Sequence, residues 1–106
     1  MGNEQRHAVE SHLRVLLAHL LKWVYQPQRR RRSRRVSIGN ARAEIAQRLR
    51  TSPSLRGQVP KLLGYAYPKA RRLARDEIGL PPATLPELCP WSPERLLDED
   101  FLPEEQ

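Results

Sequence analysis

The residues with the clearest chemical potential in this chain are six arginines within seven consecutive positions. They are Arg29, Arg30, Arg31, Arg32, Arg34 and Arg35, and we call residues 29–35 the arginine run. Guanidinium groups match phosphate oxygens with paired hydrogen bonds, and cations that bind a polyanion release its condensed counterions. No aromatic residue lies within the run to stack on single-stranded bases. The run therefore favours phosphate contact, and the alternative is a solvated helix start whose arginines pair with the chain's own acidic residues.

Charge is unevenly divided along the 106 residues, whose formal net charge is +7. Residues 1–75 hold 18 Lys and Arg but 3 acidic residues, whereas residues 76–106 hold 1 Arg and 9 acidic residues. The arginines of the run repel one another unless salt, the acidic segment or a polyanion screens them. We therefore expect the basic residues of the first part to contact the acidic residues of the same chain or a nucleic acid. An acidic protein or an anionic surface is a lesser alternative.

The residues that could carry catalysis form no recognisable set, so we predict no catalytic residue, no metal site and no cofactor, and we leave enzymatic activity open with a non-enzyme favoured. Residues 76–77 lie at a predicted helix end, and residues 98–100 are consecutive acids without calcium-loop spacing. Cys89 has no neighbouring base or cation in sequence, which indicates a small packed residue. His12 and His19 lie about 10.5 Å apart along a helix, too far to share a metal, and are interpreted as rim residues.

The elements that carry these residues follow from helical periodicity. Apolar side chains recur at three- and four-residue steps over residues 4–25 and predict a first helix, which Pro27 ends. A narrower apolar stripe predicts a second helix from within the arginine run to about residue 50. The arginine run is therefore expected at the connection between these two helices.

Later signals predict two more helical segments, and one or two helical turns after Ser92 in the proline-rich end. A short helix is expected at 53–58 with Ser52 as its cap, and a longer one at 60–78, bent by Pro68 and closed by Gly79. No alternating strand pattern occurs. The predicted fold class is all-α, a small bundle of about four helices with a proline-rich, acidic C-terminal segment.

The length supports one domain. Residues 1–80 are expected to form the helical core, and residues 81–106 a proline-rich acidic tail that packs on it. The longest apolar stretch is four residues, far below the roughly 20 of a membrane span. The start of the chain lacks a signal-peptide pattern, and a single cysteine suits a reducing compartment. We therefore expect a cytoplasmic location, no membrane partner and no small-molecule substrate.

The segment Leu-Leu-Lys-Trp-Val-Tyr-Gln-Pro at residues 20–27 resembles the signature of a bacterial family catalogued as domain of unknown function 29. The likeness extends through the basic segment, Ser-Pro-Ser-Leu at 52–55, Gly-Leu-Pro at 79–81 and Cys-Pro-Trp at 89–91. The resemblance covers nearly the whole chain. It implies an all-helical cytoplasmic protein with no established activity.

The chain also departs from the family pattern. Family members usually carry about forty further residues before this point, an amino-terminal helical region. An aromatic residue often stands at the position of Arg34, and an ordinary helix residue at that of Pro68. If the additional region normally packs on the first helix, an apolar face of that helix is uncovered here and should drive association.

Two hypotheses from different classes follow, together with a remote third. The favoured one is a protein-interaction module in which Leu13, Leu17 and Leu20 bind a second copy or another helical protein. The alternative is sequence-independent nucleic-acid binding through the arginine run, supported by Arg42 and Arg71. The remote alternative is a divergent nuclease whose acidic residues lie in the additional family region.

Overall fold

The computed structural model describes residues 2–103, with the side chains of 4–81 and 83–103. The α-helices in this range are α1 (Gly2–Tyr25), α2 (Arg32–Thr51), α3 (Val59–Ile78) and α4 (Pro93–Leu97). Short 3₁₀ segments at Pro27–Arg29, Pro53–Gln58 and Pro82–Thr84 lie between them. None of residues 2–103 is in a strand, so the all-α prediction is confirmed.

Helix α1 is the centre of the core and packs against both α2 and α3. Contacts of Gln5 with Arg48 and of His12 with Glu44 show that α2 runs antiparallel to α1. Ion pairs of Glu10 with Lys69 and of Lys22 with Glu77 show that α3 runs parallel to α1. The fully buried side chains of α1 are Val9, Leu13, Leu16, Leu17, Leu20 and Leu21. Complete burial of a side chain of this size contributes about 1.5–3 kcal/mol.

The leucines predicted to bind a partner belong to this core. Leu13, Leu17 and Leu20 are each 0% exposed. The expectation of an uncovered apolar face on α1 is therefore wrong, because α2 and α3 of the same chain cover that helix. In this fold the three leucines offer no surface to a second protein.

The helix ends show which local signals the fold uses. Gly79 has φ 83° and closes α3, with its N–H donating to the Arg75 carbonyl oxygen at 2.8 Å. This left-handed conformation favours glycine, as predicted. The predicted Ser52 cap is wrong, because its hydroxyl makes no capping hydrogen bond and the segment after it is a 3₁₀ helix. Helix α3 continues through Pro68 without a break.

The segment after Gly79 packs on the helices. Its buried hydrophobic side chains are Leu85, Trp91 and Leu96. The Tyr67 hydroxyl donates to the Pro86 carbonyl oxygen at 2.7 Å, and Arg42 Nε donates to the Leu96 carbonyl oxygen at 2.7 Å. Ser92 caps α4 by accepting a hydrogen bond from the Arg95 N–H. Side chains and backbone of this segment therefore both contribute to the contact with the helices.

Candidate phosphate-binding surface

The arginine run lies at the reversal between α1 and α2. The Gln26 N–H still donates to the Lys22 carbonyl oxygen at 2.8 Å, and Pro27 then starts a single 3₁₀ turn. Helix α2 begins at Arg32, so the prediction that it starts within the run is confirmed. The six arginines are consequently spread over a 3₁₀ turn, an extended link and the first turn of α2, and do not share one helical stripe.

Two arginines of the run hold this reversal in place. Arg30 Nε donates to the Trp23 carbonyl oxygen at 2.7 Å, and its guanidinium lies 5.6 Å from the centre of the Trp23 ring. Trp23 itself is buried, as predicted. Arg34 Nη1 lies 3.4 Å from Gln26 Oε1. The contacts of Arg30 and Arg34 are thus with the turn that they stabilise.

The other four arginines of the run, Arg29, Arg31, Arg32 and Arg35, are exposed. Ion pairs among the described residues use the carboxylates of Glu10, Glu44, Asp76 and Glu77, and none of them involves the run. The run is thus a solvated helix start, but the ion pairs expected with the chain's own acidic residues are not formed within residues 2–103. Its charge remains available to an external anion.

A small hollow of about 220 Å³ lies beside the run. The residues that line it are His19, Arg29, Arg31, Ser33, Arg34 and Ser37. They come from α1, from the connection and from α2. Three guanidinium groups, one imidazole and two hydroxyls therefore meet around one cavity, and no carboxylate lines it.

The closely spaced arginines of this hollow repel one another. Burial, followed by the nearby charge of Arg29, lowers the pKa of Arg34, and Arg31 acts in the same direction. The Glu77 carboxylate on α3 partly opposes this. An anion placed among these guanidinium groups would relieve their mutual repulsion.

His19 is the titratable group of the hollow near neutral pH. Burial is the main cause that lowers its pKa, followed by the charges of Lys22 on α1 and Arg34 on α2, while Glu77 on α3 acts in the opposite direction. Its Nδ1 atom is buried and has no hydrogen-bond partner among the described residues. The imidazole is therefore held towards its neutral form in the free protein.

The lowered pKa of His19 predicts a pH-dependent stability. The unfolded chain takes up this proton near pH 6.5 and the folded protein only at lower pH, so the contribution is complete above pH 6.5 and is lost as the pH falls towards the lowered pKa. Urea unfolding at a series of pH values should show His19→Gln gaining stability relative to wild type as the solution is acidified. Parallel pH profiles of the two proteins would contradict this assignment.

Arg42 and Arg71, which were expected to support the basic surface, contact the carboxyl-terminal segment instead. Arg42 is only 5% exposed and is bound to the Leu96 carbonyl. Arg71 Nε donates to the Pro86 carbonyl oxygen at 2.9 Å. Both side chains attach the carboxyl-terminal segment to the helices, so their inclusion in a phosphate-binding face is wrong.

The acidic side chains and Cys89 lie outside the lining of the hollow. No group of three or more His, Cys, Asp or Glu residues there is placed to hold a metal ion. Residues 98–100 are exposed and line a groove with Arg42 and Arg50, where both signs of charge meet. Burial raises the pKa of the Cys89 thiol, which lies 3.4 Å from the Trp91 carbonyl oxygen.

Sequence reasoning located the arginines of the hollow but missed three of its residues. Ser33 and Ser37 are four positions apart and share a face of α2, a spacing visible in the sequence once the helix start is known. His19 was interpreted as a rim residue, and nothing local connects it with residues more than ten positions away. Only the antiparallel packing of α2 on α1 brings the three together.

No helix of the described residues has the length and apolar character to span a bilayer.

Comparison with known proteins places the chain in a family. Neither the curated proteins nor the solved structures include a match to this sequence. A family model described as "Domain of unknown function DUF29" matches residues 1–102, and it agrees with the resemblance seen at residues 20–27. The chain therefore belongs to the DUF29 family.

Proposed function

We propose that this protein binds the phosphate backbone of nucleic acids through the arginine run, without preference for base sequence. The observation that carries the proposal is that six arginines meet at one reversal of the chain and none forms an ion pair within residues 2–103. A polyanion that replaces the surrounding salt would relieve the repulsion among them. This gain is largest where the cations cannot find partners within their own protein.

The chemistry of the exposed side chains supports binding without base readout. Guanidinium groups on a short turn and a helix start suit phosphate contacts, which position a protein on a nucleic acid but carry no sequence information. Specific reading needs a set of side chains that reach base edges in a groove. The lining of the hollow beside the run consists mainly of arginine and serine.

The other hypotheses lack a comparable observation. Self-association or binding to another helical protein rested on Leu13, Leu17 and Leu20, which are buried in the chain's own core. The nuclease hypothesis rested on acidic residues of the additional family region, so no residue of this chain supports it. The side chains of Arg29, Arg31, Arg32 and Arg35 are exposed and form no hydrogen bond or ion pair within residues 2–103, so their chemistry is not used by the fold.

The proposal is tested by the salt dependence of duplex DNA binding, measured by fluorescence anisotropy. Six phosphate contacts should give a slope of log affinity against log salt of about −5, at roughly 0.9 per contact. Replacing Arg29, Arg31, Arg32 and Arg35 by Gln should reduce the magnitude of this slope by about 3 to 4. Arg30 and Arg34 are kept because they hold the turn.

A matched variant controls for net charge. Replacing Arg50, Arg56, Lys61 and Arg72 by Gln removes the same charge from exposed positions outside the run. This variant should keep a slope within about 1 of wild type. Equal losses in both variants would show that diffuse charge alone carries the binding, and no binding at low salt would remove the proposed function. Duplexes of two unrelated sequences should bind alike.

A further inference from the structure

We propose that the hollow beside the arginine run binds the terminal phosphate of a nucleic-acid strand, a phosphomonoester. The proposal rests on the proposed function and names the part of the nucleic acid that this site holds. It would make the protein a reader of strand ends in addition to a binder of the backbone.

The hollow is small and its lining is cationic. Its volume of about 220 Å³ lies below the roughly 300–1,000 Å³ of pockets that hold drug-sized ligands. A phosphate group fits such a space. Because three guanidinium groups and no carboxylate line it, the ligand group that suits it is a compact anion.

The hollow is lined by hydrogen-bond donors that have no partner within residues 2–103. Neither the Ser33 nor the Ser37 hydroxyl forms a hydrogen bond within residues 2–103, and Arg29 and Arg31 are also without side-chain partners there. Hydroxyl and guanidinium donors converge from the connection and from α2. A phosphomonoester offers three oxygens and up to two negative charges to such a set. A backbone diester offers fewer free oxygens and one charge.

A basic surface continues from the hollow along the first turn of α2. Arg32 and Arg35 are exposed on the first turn of α2, next in sequence to the lining residues Arg31 and Arg34. They can contact the phosphates that follow the terminal one along a strand. A strand end with its adjoining backbone therefore uses the hollow and the open part of the arginine run together, which an isolated anion does not.

The experiment compares two single strands of one sequence that carry a 5′-phosphate or a 5′-hydroxyl, in competition with a labelled strand. The phosphorylated strand should compete about tenfold more strongly, because it adds charge-assisted hydrogen bonds. A strand with a 3′-phosphate is compared in the same way, and a preference at either end supports the proposal.

Variants that keep the net charge test the location. The double variant Ser33→Ala and Ser37→Ala should lose most of the preference for the phosphorylated strand, since it removes two donors from the hollow. Ser54→Ala removes an exposed hydroxyl elsewhere and should retain the preference. Circular dichroism confirms that each variant is folded.

The outcomes separate this inference from the proposed function. Salt-dependent binding of both strands with equal affinity overturns the terminal-phosphate site and leaves the backbone proposal standing. No binding of either strand at low salt removes the proposed function, and the inference with it. Inorganic phosphate or a phosphoserine peptide that binds as tightly as the phosphorylated strand overturns a strand end as the occupant.

Discussion

The Leu96→Ala variant should lose about 2–5 kcal/mol of free energy of unfolding relative to wild type. Leu96 lies in α4, within the acidic segment, and its side chain is 0% exposed. Truncation removes the transfer free energy of the buried methyl groups and leaves a cavity that neighbouring side chains fill only in part. The backbone carbonyl that accepts the Arg42 hydrogen bond is unchanged, so the loss reports packing. Urea unfolding followed by circular dichroism measures it.

A second leucine of the same segment provides the control. Leu88 is 80% exposed, so Leu88→Ala should change the stability by no more than about 0.5 kcal/mol. If Leu96→Ala instead leaves global unfolding unchanged and only makes the segment sensitive to protease, the segment folds separately from the helices. A large loss in the buried variant alone shows that residues after Gly79 complete the core.

The Leu17→Ala variant should also lose about 2–5 kcal/mol of stability, because Leu17 is buried where α1 meets its neighbouring helices. This result decides between a core role and the partner-binding role that the sequence pattern favoured. Val15 is 42% exposed on the same helix, and Val15→Ala should stay within about 0.5 kcal/mol of wild type.

The oligomeric state distinguishes the two roles of Leu17, because truncating a residue of the core does not change it. If Leu17 formed a contact with a second copy of the chain, Leu17→Ala would shift the molecular mass measured by light scattering and leave the unfolding of the monomer unchanged. The structure predicts the reverse: lower stability at every protein concentration, with the same mass as wild type under folding conditions.

Helix ends illustrate which parts of the fold local chemistry specifies. Pro27 lacks the N–H that would continue α1, and Gly79 alone adopts the left-handed conformation that closes α3 without strain. Both ends could be predicted because each depends on one residue and its backbone. The Ser52 cap could not, because a serine before a proline serves an α-helix or a 3₁₀ turn, and the neighbouring packing selects between them.

The apolar stripe of α1 shows that periodicity predicts a buried face but not which surface covers it. Its spacing correctly indicated a buried face, but the spacing is the same whether α2 and α3 or a second protein covers it. The identity of the covering surface depends on distant residues. Arg42 is a second example. The sequence assigns it to a basic helix, and only the tertiary contact with the Leu96 carbonyl oxygen removes it from the surface.

Composition and periodicity alone were sufficient to predict an all-helical chain and an arginine run at the junction of two helices, because these depend on neighbouring residues. The hollow depends on something else. His19 and Ser37 meet because α2 folds back antiparallel on α1, and the angle of that reversal is set by contacts such as that of Arg30 with Trp23. Such contacts join residues that folding brings together, so they contribute to stability only in the folded protein. For that reason the charge of the candidate site could be predicted from the sequence, whereas its shape required the packed helices.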